Sequence, residues 1–242
     1  MNVNDQLMFD LQDRPEWSKN LAVFDLETTG LDLREARIVT ACAVEIDQDG
    51  QITGRNKEWL ADPGIEIPEG ASNVHGITTE IARANGRPAK EVVGELLETL
   101  KEFFAKGLPV VAFNAPYDFT ILHYEALRHG LEPIDSPMPV IDPMVLDKFV
   151  DTYRSGKRTL EVASKLYGVR LEDAHNATAD AVAAGRVAQA IAQRYADKLP
   201  KDLEQLHNSQ IEWSAAQDAS YEKFRRGSSP EFTVQRGWPL KL

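Results

Sequence analysis

The sequence predicts an α/β protein: a mixed sheet, an antiparallel meander joined by parallel strands, with helices on its faces and a helical extension at the C-terminus. Three observations predict it. The first third carries apolar runs of strand type around the hairpin dipeptide Asp49-Gly50. Beyond it, short apolar runs alternate with segments of helical period. Strands first in a block and then interleaved with helices describe one mixed sheet covered by helices.

Taken in order, residues 1 to 17 are polar and aperiodic and read as a loose tail. "LAVFDLETTG", residues 21 to 30, opens with four apolar residues and reads as a buried strand. "ARIVTACAVEI" and "QITGRNKEWL" flank Asp49-Gly50 and complete the meander. "ADPGIEIPEGASNVHGITTEIARANG" is rich in Pro and Gly and is expected to be a loop. In "PAKEVVGELLETLKEFFAKG", Val92, Val93, Leu96, Leu97, Leu100, Phe103 and Phe104 recur at helical spacing, with Gly107 placed as a C-terminal cap.

"LPVVAFNAP" is a second buried strand, "YDFTILHYEALRHG" a helix closed by Gly130, and "MPVID" a short strand. Helices follow near residues 143–152 and 159–167, then a long Ala-rich helix from about 177 to Lys198. Residues 199–242 read as a unit apart, a helix within "DLEQLHNSQIEWSAAQDASYEKFRRG" and an irregular tail. The spacing of Leu203, Leu206, Trp213 and Phe224 fits a helix laid on its own domain better than one that binds a partner.

Bulk properties narrow the function. A net charge of −11 argues against coating nucleic acid with the whole surface, which needs many Lys and Arg contacts to phosphate. It leaves room for an enzyme that grips a strand end through metal ions. The N-terminus lacks an apolar run of signal-peptide type, and no segment has the apolar length of a membrane span. The single cysteine, Cys42, cannot form an internal disulfide and reads as a small buried residue, in keeping with a cytoplasmic protein.

Asp25 and Glu27 lie two apart on the opening strand, so their carboxylates face one way and repel each other. Such a pair is either raised in pKa or neutralised by a cation, unless the strand ends early and both acids face water. Asp118 falls where the helix after "VVAFNAP" begins; singly, it reads as a helix N-terminal charge or cap. Asp180 lies in the first turns of the Ala-rich helix, with Asn176 or Thr178 available as a cap and His175 just ahead. The small residues around it let that helix approach the sheet and turn the carboxylate inward.

Each of these five residues sits at a strand end or helix start, where ligand sites of α/β folds gather. Four carboxylates suit two divalent ions about 3.5–4 Å apart, the arrangement of in-line displacement at phosphorus. A His with an ordinary pKa of about 6.5 can take the proton of the attacking water near neutrality.

The blocks "DLETTG", "FNAPYD" and "HNATAD", in this order across roughly residues 20 to 197, resemble the DEDD-type 3′–5′ exonucleases of the RNase H-like superfamily, in their His-containing branch. The resemblance implies an exonuclease domain over 18–198. It makes Asp25, Glu27, Asp118 and Asp180 ligands of two Mg²⁺ or Mn²⁺ ions, and His175 the general base. The Tyr-containing branch is unsupported, because position 176 is Asn.

The resemblance also brings the backbone near Leu26 and Thr28 to the terminal nucleotide. His75, in "NVHGIT", matches a segment lining the substrate groove, or is a loop histidine tied to backbone. Asn114 organises its turn beside that groove. Phe113 and Tyr117 depart from the family's frequent His and Phe, which bears on pocket shape and on DNA against RNA. Asp142 reads as structural and Asp173 as a solvated loop acid.

The implied activity is release of nucleoside 5′-monophosphates from DNA 3′ ends, in proofreading or repair. The other readings are an RNA 3′–5′ exonuclease and a non-catalytic module that binds a polymerase or sliding clamp. The implied partners are a nucleic-acid 3′ end and a polymerase or clamp, with no membrane. "QLMF", at residues 6–9, has a faint likeness to clamp-docking peptides.

Overall fold

The opening strand, β1 (Leu21–Thr28), lies inside a six-stranded sheet of order β4-β3-β2-β1-β5-β6. The computed structural model describes residues 14–171 and 176–242. β2 (Ile38–Ile46) and β3 (Ile52–Asp62) form the expected hairpin and pair antiparallel with β1 and with each other. The two-residue strands β5 (Val110–Val111) and β6 (Val140–Ile141) add in parallel on the other side of β1, and β4 (Arg87–Pro88) pairs in parallel with β3.

Eight α-helices are described. α1 (Glu69–His75) and α2 (Thr79–Asn85) lie where the sequence predicts a loop. The reason is physical: α1 buries no residue, so it carries no apolar stripe from which a period could be read. Its end is chemical instead, with Gly76 in the left-handed conformation at φ 77°, followed by the Thr78 hydroxyl capping Ile81 N–H.

α3 (Ala89–Ala105) buries the predicted Val92, Val93, Leu96, Leu97, Leu100 and Phe103, and Gly107 takes φ 72° just past its end. α4 (Ala115–Arg128), α5 (Pro143–Val150), α6 (Leu160–Tyr167) and α7 (Ala177–Arg194) follow the predicted order, α7 stopping short of Lys198. α8 (Leu203–Arg226) completes the helices.

Strand alternation sorts β1 between two cores. Ala22, Phe24 and Leu26 join the core under α3 and α4. Leu21 and Val23 join the core under α7. By the same alternation Asp25 and Glu27 share the α7 face. α7 comes close because its contact face is small: Ala181, Ala184 and Ala188 are buried, and a Cβ on Gly185 would meet Val23 Cγ1 and Ile46 Cδ1 at 2.5 Å.

The 199–242 segment packs along the β6 edge. His207 Nδ1 accepts from Val140 N–H (3.1 Å), and Gln210 pairs with Asp142 N–H (2.8 Å) and Val140 C=O (3.0 Å). Trp238 enters the α3–α4 core. Of the expected tail, residues 1–13, with "QLMF", lie outside the described residues, while Trp17 is buried and donates to Pro200 C=O (2.9 Å).

Candidate active site

Asp25 sits opposite Cys42 and Glu27 opposite Thr40, and the β1–β2 register shifts between Glu27 and Thr28. A bulge there re-aims the end of the strand, as bulges beside functional sites do. Both acids are half-buried, so they lie at the margin of the core and not inside it. Cys42 is fully buried across from Asp25 and donates to Ala177 C=O at 3.0 Å, the small-residue role expected of it.

Asp118 lies in the first turn of α4, but it is not the cap; Asn114 occupies that position. Asp118 is buried, and its Oδ1 accepts from Leu26 N–H, in β1, at 3.1 Å. That bond bolts the helix to the strand between the two acids. Asn114 has φ 67°, in the left-handed region, and makes the turn that aims α4. Asp142 holds this turn from below: its two oxygens accept from Asn114 N–H (2.9 Å) and Ala115 N–H (3.0 Å). It also caps α5 through Met144 N–H (2.9 Å) and accepts from Trp238 Nε1 (3.3 Å), so the structural reading of Asp142 holds and extends.

Asp180 sits in the first turn of α7, which Asn176 caps through Thr178 N–H (3.1 Å) and Ala179 N–H (3.2 Å). Thr178 Oγ1 donates to Glu58 on β3 at 2.6 Å, tying that turn to the sheet. His175 and Asp173 lie outside the described residues.

The four acids act on one another. Burial and then the charges of Asp118, Glu27 and Asp180 raise Asp25 well above the usual carboxylate range. Burial and Asp180 push Glu27 up to about 7. Burial raises Asp118 too, against the pull of the Leu26 N–H. Carboxylates in this state are short of positive charge.

The donor set is hard oxygen throughout, which fits Mg²⁺ or Mn²⁺. Among the described residues no three His, Cys, Asp or Glu side chains make a ready cage for one ion. The acids instead come together from β1, α4 and α7, as suits an ion held by one or two carboxylates together with substrate phosphate.

Thr28 is buried, and its hydroxyl contacts Gly30 C=O (2.8 Å) and the Tyr117 hydroxyl (2.5 Å), which itself donates to Gly30 (2.9 Å). Tyr117 thereby fastens the turn after β1 to α4, a role its place in the sequence did not disclose. Burial pushes its hydroxyl up to about 12, so it stays protonated. His75 ends α1, where its Nδ1 accepts from Ile77 N–H at 3.2 Å, and burial lowers its pKa. It is tied to backbone and also lines a cavity of about 340 Å³ with Glu58, Asn176 and Thr178. Glu58 and Tyr117 are contacts that only the fold brings together, with no local signal.

A family model described as exonuclease (RNase T) matches residues 22–188. A PolC-type DNA polymerase III of Pediococcus pentosaceus is 31% identical over 165 residues, covering 68% of this chain and 11% of that protein. A DNA polymerase III subunit epsilon-like protein of Rhodobacter capsulatus is 32% identical over 176 residues, covering 72% and 24%. The chain thus spans a quarter or less of the length of these relatives. Exonuclease I is similar in fold, with TM-score 0.64 at 19% identity over 74% of this chain and 42% of that one. Escherichia coli exonuclease I in complex with a dA16 oligonucleotide gives 0.63 at 18%, over 74% and 42%. With the family model spanning most of the RNase H-like sheet and the helices on it, the chain belongs to the RNase T-type exonuclease family.

Proposed function

We propose that this chain is a metal-dependent 3′–5′ exonuclease that trims DNA from single-stranded or mismatched 3′ ends and releases nucleoside 5′-monophosphates. The observation that carries the reading is the convergence on Asp25 of its strand neighbour Glu27 and of two acids from distant parts of the chain, Asp118 at the start of α4 and Asp180 at the start of α7, all of which raise it. Two Mg²⁺ or Mn²⁺ ions, when bound, would supply charge neutralisation and lower the pKa of the attacking water.

The chain supplies the rest. Asp25, Glu27, Asp118 and Asp180 are the ligands. Asp118 has Oδ1 fixed by Leu26 N–H, which sets the carboxylate plane. His175 accepts the water's proton on a ring nitrogen. The backbone at Leu26 and Thr28 meets the terminal nucleotide, and the Tyr117–Thr28–Gly30 contacts keep that edge rigid. His75 and Asn114 flank the substrate. A polymerase or sliding clamp is a fitting partner for proofreading or repair. Among the described residues no helix is long and apolar enough to cross a membrane, and a cytoplasmic site of action accords with that.

The test is digestion of labelled single-stranded DNA, mismatched duplex and short RNA with Mg²⁺ or Mn²⁺. We expect 3′-to-5′ shortening of DNA that EDTA abolishes. RNA degraded faster than DNA would shift the substrate. All three intact, whatever the ion, would leave the non-catalytic reading.

A further inference from the structure

The residues that meet the first turn of α7 form one row across three strands. Asp25 on β1 pairs with Cys42 on β2, and Cys42 pairs with Glu58 on β3. Directly paired residues share a face of the sheet. Trp59, the next residue along β3, accordingly enters the core on the opposite face.

The turn answers each strand of the row. Asp180 acts on Asp25. Ala177 C=O accepts from Cys42 Sγ at 3.0 Å. Thr178 Oγ1 donates to Glu58 Oε1 at 2.6 Å. Three strands at about 4.8 Å spacing span roughly 10 Å, which is about the width of one helix with its side chains.

The tie to Glu58 does something that the rest of the α7 packing does not. Beyond its first turn α7 rests on apolar residues of β1 and β2, Leu21, Val23, Val44 and Ile46 among them. Its own buried face there is alanine, at Ala181, Ala184 and Ala188. Small side chains let a helix come close, but they offer few ridges to stop it rolling. Thr178 follows Ala177 by about 100° around the helix axis, so a bond at each position blocks the roll. Roll matters here because Asp180, two residues on, would swing away from Asp25. Glu58 is exposed and adds negative charge near an acidic cluster, so apolar burial does not account for its place.

We propose that Glu58 is a positioning residue of the active site: through the Thr178 hydroxyl it fixes the roll of α7, and with it the separation of Asp180 from Asp25 at which divalent cations are held. Glu58 acts through Thr178 and is not itself a ligand. The ions and the substrate rest on the exonuclease reading; the three-strand row does not.

The test is Mn²⁺ binding to the full chain, by calorimetry without DNA, beside exonuclease kinetics on dT16. Glu58→Ala and Thr178→Val should each weaken Mn²⁺ affinity about 3- to 10-fold and lower kcat, with the KM for DNA unchanged. The double variant should be no weaker than the worse single one, as two halves of one bond require. Glu58→Gln and Thr178→Ser, which keep an acceptor and a hydroxyl, should recover most of the affinity. Glu58 is exposed, so its variants keep the fold, and melting curves in EDTA verify it.

Wild-type Mn²⁺ affinity in both single variants, or losses that simply add in the double one, would overturn the positioning role and leave the nuclease intact. So would a raised KM alone, which would make Glu58 a substrate contact in the cavity it lines with His75. Glu58→Gln as weak as Glu58→Ala would overturn it too, since charge and not the bond would then matter. A wild type that neither binds Mn²⁺ nor shortens any strand would fault the exonuclease reading instead.

Discussion

Asp118 shows what one residue's position in the sequence can and cannot say. Its place at a helix start was legible, and a cap was the local reading; the structure spends its Oδ1 on a strand 92 residues away. Asp25 and Glu27 were legible as a pair because strand alternation is local. That Asp180 reaches both could be read only from the small residues around it, and Tyr117's grip on Thr28 not at all. Removing one acid from this cluster removes repulsion and buried charge. Asp25→Asn should therefore melt no lower than wild type at pH 8 in EDTA, while exonuclease activity falls on the order of 1,000-fold, about 4 kcal/mol in barrier.

Glu27 gives the pH sign. Its folded pKa of about 7 lies above the ordinary 4.5, so the folded state holds the proton more tightly. Its contribution to stability is full below 4.5 and is lost as pH rises through about 7. Glu27→Gln should then match wild type in EDTA melts at pH 4 and exceed it increasingly up to pH 8.

Among elements, α3 and α7 were readable because each carries a long apolar or small-residue stripe. α1 and α2 were not: both have seven residues and bury almost nothing, so capping chemistry and tertiary contact decide them. α7 makes the sharpest demand on its sequence. Its glycine faces Val23 and Ile46 across a gap too small for a methyl group at current positions. Gly185→Val should cost about 1–3 kcal/mol in urea melts. It should also lower activity beyond any loss of folded protein, because it lifts the helix that carries Asp180.

At the scale of the molecule, the antiparallel-then-parallel sheet was legible from the order of strand and helix signals. The place of the C-terminal segment was not, since no local pattern tells a helix that it will edge a sheet. That segment closes the architecture: Gln210 and Trp238 hold Asp142, and Asp142 holds the turn that aims α4. Trp238→Ala should cost about 3–5 kcal/mol, measured by denaturant unfolding. Activity should drop with it even well below the melting temperature, since the loss travels through Asp142 to the site.

The central claim is that the four acids share divalent cations. Anomalous diffraction from crystals soaked in Mn²⁺ tests it most directly. The account predicts two peaks about 3.5–4 Å apart among Asp25, Glu27, Asp118 and Asp180, both absent in Asp25→Asn. Crystals of active protein that show Mn²⁺ elsewhere and none between these carboxylates would contradict it.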